Sequence, residues 1–183
     1  MPLYIAFLRA INVGGHIVKM DRLRQLFEAL NLSNVETFIA SGNVLFETGA
    51  TNARALEKEI ETKLRDALGY EVATFLRTKT ELIEIATHQP FRKAELAQAQ
   101  ALNVAFLKES LDAQARKKLQ TLRTDIDDFR VNGRELYWLC RKKQSDSTFS
   151  NVLLERSLEI QATFRGINTV NKLVAKYKIN NEQ

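Results

Sequence analysis

Leu3-Tyr4-Ile5-Ala6-Phe7-Leu8-Arg9 returns later in the chain as Leu102-Asn103-Val104-Ala105-Phe106-Leu107-Lys108, with four of the seven positions identical. The Ile/Val and Arg/Lys pairs are conservative, and each copy is a short apolar run of strand character. A second echo follows each first one. Phe38-Ile39-Ala40-Ser41-Gly42-Asn43-Val44-Leu45-Phe46 parallels Phe129-Arg130-Val131-Asn132-Gly133-Arg134-Glu135-Leu136-Tyr137. In both, two strand-like runs flank a glycine-bearing turn, which is the pattern of a hairpin.

Between strand and hairpin each copy carries a helical pattern. Leu23, Leu26, Phe27 and Leu30 at i, i+3, i+4 and i+7 predict a helix over 21–30, with Asp21 as its N-cap. In the second copy, Ala115, Leu119 and Leu122 share one face of a helix over 112–122. After the first hairpin, Ala53, Leu56, Ile60, Leu64 and Leu68 predict a long amphipathic helix, followed by a strand over 72–78. The second copy continues with a shorter helix over 150–158 and a strand over 159–165. The order strand–helix–hairpin–helix–strand is the split βαβ, or ferredoxin-like, unit.

Thr78-Lys79-Thr80-Glu81 has the form of a capping box, and Pro90 closes the helix that it opens. Val170, Leu173, Val174 and Tyr177 mark a C-terminal helix. The expected fold is therefore α+β, with duplicated ferredoxin-like (βαββαβ) halves, an extra linking helix and a C-terminal helix. The first half covers 1–78, the linking helix and connection 79–100, and the second half with the C-terminal helix 101–183.

The two copies differ in one respect. The first strands lie 99 residues apart but the hairpins only 91, so the first half is eight residues longer between strand and hairpin. The stretch Arg9-Ala10-Ile11-Asn12-Val13-Gly14-Gly15-His16-Ile17-Val18-Lys19-Met20 can absorb that surplus. Adjacent glycines let backbone N–H groups turn toward a ligand, and the helix start behind them adds positive dipole. A loop carried by one copy alone points to function rather than plain connection.

Composition sets the outer bounds. At 183 residues, with 45% hydrophobic and 27% charged content, the chain can build a full globular core. Its single cysteine, Cys140, excludes an internal disulfide and any multi-cysteine metal site, and its apolar surroundings predict a buried thiol. A strand beginning by Leu3 leaves no room for a signal peptide, and no apolar run approaches the ~20 residues of a membrane span. The expected location is cytoplasmic, with no membrane partner. The net charge of +5 and a pI near 9.4 favour acidic partners only weakly, since scattered basic residues usually form solvated faces. The polar tail Asn180–Gln183 and the stretch 142–148 have the least reason to order.

The chain resembles a bacterial family known as domain of unknown function 1697. The resemblance rests on Leu8-Arg-Ala-Ile-Asn-Val-Gly-Gly15, Lys19-Met20, Ser41-Gly-Asn-Val44, Gln89-Pro-Phe91, Ser150-Asn-Val-Leu-Leu-Glu-Arg156 and Asn168-Thr-Val-Asn-Lys-Leu173. These segments follow the family's order from Leu3 to about Tyr177. What the resemblance implies is an α+β fold with ferredoxin-like halves, with no activity, substrate or catalytic residue attached. The chain departs from the family pattern at three places: Ala10 stands where glycine is usual, Thr148-Phe149 where lysine tends to follow serine, and Gly166-Ile167 where an asparagine–tryptophan pair is common.

Three polar segments precede or open helices: 12–19, 147–151 and 165–169. Helix N-termini carry unsatisfied N–H groups and roughly half a positive charge. The candidate ligand-binding set is Arg9, Asn12, Gly14, Gly15, Lys19, Ser41, Asn43, Asn151, Arg165, Asn168, Thr169 and Lys172. Its chemistry suits a phosphate- or carboxylate-bearing small molecule. Ordinary capping is the better explanation of the individual residues Ser150 and Thr169 and also accounts for Asn168, whereas Arg9, Asn12, Gly14 and Gly15 together favour a ligand.

No G-x-G-x-x-G, phosphate-loop or serine-elbow pattern occurs, so no cofactor is expected, the catalytic residues stay unassigned and the chain is not marked as an enzyme or a non-enzyme. His16 and His88 have no partners at metal-ligand spacing; His16 is the one candidate general base, and His88 reads as structural. Asp125-Ile126-Asp127-Asp128 reads as a solvated turn before a strand. The alternative function is nucleic-acid binding, prompted by the basic pI and the kinship of ferredoxin-like units with RNA-binding sheets. Such a sheet needs an open aromatic face, whereas both alternating sets of Leu3–Leu8 are apolar, which predicts strands covered on both sides.

Overall fold

The structure is a computed structural model that describes residues 1–39 and 42–179; Ala40, Ser41 and the tail Asn180–Gln183 lie outside the described residues. Two compact units emerge, Met1–Leu82 and Ile83–Gln183. Charge divides unevenly between them. The first carries ten basic and ten acidic residues, the second seventeen and twelve, so the whole excess of +5 belongs to the second.

The first unit runs β1 (Leu3–Leu8), α1 (Met20–Glu28), β2 (Ser33–Thr37), β3 (Asn43–Glu47), α2 (Ala53–Leu68) and β4 (Thr74–Thr78). Its strands form one sheet in the order β2-β3-β1-β4, with every neighbouring pair antiparallel. α3 (Lys79–Thr87) follows directly and runs across the unit boundary. The second unit continues with α4 (Lys93–Ala97), β5 (Ala101–Leu107), α5 (Ala113–Gln120), β6 (Asp127–Asn132), β7 (Glu135–Cys140), α6 (Asn151–Leu158), β8 (Ala162–Gly166) and α7 (Ile167–Ile179). Its sheet order, β6-β7-β5-β8, repeats that of the first. The fold is α+β with two similar ferredoxin-like halves, and the strands marked by the first echo of the internal repeat, β1 and β5, are interior in their sheets. No helix of the described residues is long and apolar enough to cross a membrane.

Pleating sends alternate residues to opposite faces. In the first unit Tyr4, Ala6, Leu8, Val44, Phe46 and Leu76 pack with Leu23, Phe27, Ile60 and Leu64 of α1 and α2. The residues between them, Ile5, Phe7, Leu45 and Phe75, are also buried. In the second unit Trp138, Phe129, Phe149 and Phe164 form an aromatic cluster on one face, while Val104, Phe106, Tyr137 and Leu139 are buried on the other. The strands are covered on both faces, as their apolar alternation implied. Cys140 is fully buried, and burial pushes its thiol pKa up.

Each half buries an arginine on its last strand, at the same register. Arg77 lies opposite Ile5 and Arg165 opposite Val104, and those two partners are equivalent in the repeat. Each guanidinium donates from one terminal nitrogen to the carbonyl of the preceding residue, at 2.8 Å. Burial pushes Arg165 down to about 10, so it stays charged at neutral pH.

The edge of β4 is closed by side chains. Glu61 accepts from Thr74 N–H at 2.8 Å, Glu57 from Leu76 N–H at 3.0 Å and Glu81 from Thr78 N–H at 2.7 Å. Three carboxylates thus take the hydrogen bonds that an incoming strand would use. The last of them, with Glu81 N–H donating to Thr78 Oγ1, is the expected capping box of α3.

Several local expectations need correction. The N-cap of α1 is Lys19 rather than Asp21, and its side chain makes no capping hydrogen bond; Asp21 sits in the first turn, where its charge favours the dipole. Asp127 and Asp128 are buried rather than solvated. Asp127 accepts from Trp138 Nε1, Ser147 and Thr124, and Asp128 is bridged by Arg123 and Arg130. The short α4 was not foreseen, and residues 144–146 form a single 3-10 turn within the stretch expected to be least ordered.

Candidate functional site

Three loops meet at one end of the first sheet: 9–19 after β1, 38–42 between β2 and β3, and 69–73 before β4. They share that end because Phe7 pairs with Asn43 and Leu8 with Thr74. The corresponding loops of the second half are 108–112, 133–134 and 159–161. The eight-residue surplus before the hairpin glycine is therefore not confined to the glycine loop. That loop is six residues longer than its counterpart, the hairpin loop three, and the loop before β4 two.

The added residues are knitted together. Ile11 is buried beneath Gly42, where a Cβ would lie 2.6 Å from Ile11 Cγ2 and 3.2 Å from Leu8 Cβ. Only glycine fits that contact, and its φ of +81° independently disfavours other residues. Tyr70 Oη donates to the Ile11 carbonyl at 3.0 Å, and the His16 ring stacks on Tyr70 with centroids 3.9 Å apart. Backbone bonds from Leu8 N–H to Gly42 O and from Arg9 N–H to Ala73 O, both 2.9 Å, tie the ends. Desolvation raises the Tyr70 phenol pKa.

The predicted residues divide into scaffold and surface. Asn12 Oδ1 accepts from Val18 N–H at 2.7 Å, closing the glycine loop on itself. Asn43 is fully buried, and its Nδ2 donates to the Phe38 carbonyl at 2.9 Å, closing the hairpin loop. Gly14 and Gly15, at φ +64° and +85°, are exposed with open space where a side chain would stand. Lys19 is exposed at the α1 N-terminus, and Arg9 is half-buried. Val13, Ile17 and Ile39 are exposed apolar side chains of the same loops. Ala10 at φ 55° and Ile39 at φ 60° hold left-handed backbone, costly for any residue with a Cβ.

The remaining candidates lie in the second unit. Asn151 donates from Nδ2 to the Ala162 carbonyl at 2.9 Å, which ties α6 to β8. Arg165 donates to Thr163 Oγ1 at 2.9 Å and is buried. Asn168, Thr169 and Lys172 stand in the first turns of α7, which follows β8 without a loop. Residues at the other two departures are structural here: Phe149 is core, and Gly166 lies over the Asn103 side chain. Sequence reasoning passed over Asn103, whose buried Nδ2 has no hydrogen-bond partner. Its signal was a polar residue in an apolar strand, at the position where the first copy has Tyr4.

Where the first half has its three grown loops, the second half has an open cleft. It holds about 490 Å³ and is walled by Lys108, Glu109, Ser110, Asp112, Glu159 and Gln161 among others. Among the described residues, no group of three or more His, Cys, Asp or Glu is placed to hold a metal.

Comparison with known proteins agrees with the fold. A conserved bacterial protein, SP0830, from Streptococcus pneumoniae superposes with a TM-score of 0.73 at 21% identity, over 97% of this chain and 99% of that one. That likeness concerns the fold alone. No curated protein matches the chain. The profile of the family described as protein of unknown function (DUF1697) matches residues 1–137, which include the whole loop cluster of the first unit. The chain belongs to the DUF1697 family.

Proposed function

We propose that this protein is cytoplasmic and binds a phosphate- or carboxylate-bearing small molecule at the 9–19 loop of its first unit. The observation that carries the reading is the open Gly14–Gly15 backbone leading into an α1 N-terminus that has no side-chain cap, with Lys19 exposed there. Exposed N–H groups, positive dipole and a lysine together form an anion cradle. The knitted loops hold this cradle in advance, which lowers the ordering cost of binding. Val13, Ile17 and Ile39 add apolar surface at the same loops, so the best-fitting ligand joins its anionic group to an apolar body. Asn12 and Asn43 act as loop ties in this reading, and Arg9, Gly14, Gly15 and Lys19 face the ligand. Burial of both sheet faces weighs against the alternative of RNA held on an open aromatic sheet.

The test is thermal unfolding with inorganic phosphate, sugar phosphates, acyl phosphates and medium-chain carboxylates. A ligand at ~100 times its Kd adds about 2.7 kcal/mol of stability. Lys19→Glu should abolish the upward Tm shift while leaving the ligand-free Tm unchanged. If no anion raises Tm, or if Lys19→Glu responds like the parent, the proposal is wrong.

A further inference from the structure

The charge excess of the second unit has a focus. Two adjoining grooves, of about 430 and 480 Å³, flank Arg130 on the edge strand β6. Their walls carry five cations, Arg92, Lys93, Arg116, Lys117 and Arg130, against one acid, Glu95. All but Arg130 are well exposed among these cations.

Arg130 is held rigidly for a surface residue. Its guanidinium bonds Asp128 at 2.8 Å and Glu95 at 3.4 Å, and lies 4.9 Å from the centre of the Phe91 ring. The Glu95 carboxyl pKa is lowered, chiefly by the Arg92 backbone N–H and further by the Arg92 and Arg130 charges. A carboxylate is thus already seated between two of the five cations. The lining offers no exposed aromatic ring, since Phe91 and Phe129 are both buried, so nothing there can stack a base. Nor can a strand simply add to β6. The Asp127 N–H is taken by Thr124 Oγ1 and the Phe129 N–H by the Asp128 carboxylate.

We infer that this basic groove docks an acidic, Glu/Asp-rich peptide segment of a partner protein through its side-chain carboxylates. Charge complementarity selects the partner, and exposed guanidinium and ammonium groups make attraction long-ranged and salt-sensitive. Recognition here is independent of the ligand proposed for the first unit, and lies on a different unit.

The experiment is fluorescence anisotropy of a labelled Glu/Asp-rich dodecapeptide titrated with the full chain at ~0.05 M salt, where surface attraction is least screened. Single-stranded RNA of equal length and a scrambled-charge peptide serve as competitors. Saturable peptide binding is expected, weakening at least ~10-fold on raising salt to ~0.2 M. Lys93→Glu combined with Lys117→Glu, two exposed positions, should weaken it ~10-fold or more, whereas Lys63→Glu on α2 should leave it unchanged. Absence of saturable peptide binding overturns the inference. So does tighter binding of the RNA, or equal loss in the Lys63→Glu control.

Discussion

The two halves share a register, a sheet order and a buried arginine, yet they treat equivalent ends in opposite ways. In the first half, three longer loops share the end of β1, with Ile11 held by the Tyr70 hydroxyl and packed beneath Gly42. In the second, short loops leave a cleft of about 490 Å³. The sheet core tolerates little change, because a slipped residue would turn every side chain to the wrong face. Loops are freer, and each added loop residue costs little closure entropy. Divergence of the duplicated unit has therefore gathered where the chain reverses direction, and there one half gained an ordered surface while the other kept a hollow.

The sharpest way to break this comparison uses the lone thiol of the second half. Cys140 is buried and its thiol is pushed up, so labelling by a thiol reagent at pH 8 should run at least ~1000-fold slower than in denaturant. Because the folded pKa is raised, moving from pH 7 to pH 8 should accelerate labelling of the native thiol by nearly the full ~10-fold, slightly more than it accelerates a free cysteine, which is already partly ionised at pH 8. Labelling at the unfolded rate would mean that the second core is open.

Next come the two hairpin glycines. Gly42→Ala meets Ile11 at 2.6 Å as well as left-handed backbone and should cost about 3 kcal/mol. Gly133→Ala meets nothing closer than 3.8 Å and should cost about 1 kcal/mol, from φ alone. Urea denaturation of both variants measures the difference; equal losses would deny that the first half's loops are packed together. Tyr70→Phe removes the hydrogen bond to Ile11 and keeps the ring stacked on His16, for a loss of about 1 kcal/mol on the same assay.

The smallest effect has the opposite sign. Ala10→Gly relieves left-handed strain of ~1–2 kcal/mol but gives back ~0.4–1 kcal/mol in unfolded-chain entropy, for a net gain near 0.5 kcal/mol. A destabilised Ala10→Gly would show that Ala10 does more than complete the turn.

Much of the architecture was legible because the repeat and the apolar periodicity agree. Leu3–Arg9 and Leu102–Lys108 mark one interior strand of each sheet, and apolar residues at both parities foretold coverage of both faces. The site was legible only in outline. The glycines and Lys19 stand open as expected, but Asn12 and Asn43 look like ligand-binding residues in sequence and serve as loop ties in space. A carboxamide in a loop carries the same signal for both roles, since a backbone N–H and a ligand donor are chemically alike. Asp127 and Asp128 misled for a related reason. Acidic residues beside a turn are usually solvated, and the Trp138 and Ser147 partners of Asp127 are too distant in sequence to be read locally. The share of the surplus carried by the hairpin loop, and the separate growth of the loop before β4, were hidden because counting locates an insertion only between landmarks.

The row of carboxylates along β4 has a consequence for how this protein would go wrong. Glu57 and Glu61 reach the strand from α2, so that edge is closed only while α2 is docked. Partial opening that lifts α2 would bare the Thr74 and Leu76 amides together with the apolar face beneath them, before the rest of the sheet lets go. Self-association under mild stress should then follow the frequency of that local excursion rather than the global unfolding equilibrium. Strengthening the attachment of α2 would protect against aggregation even where it left the melting temperature unmoved.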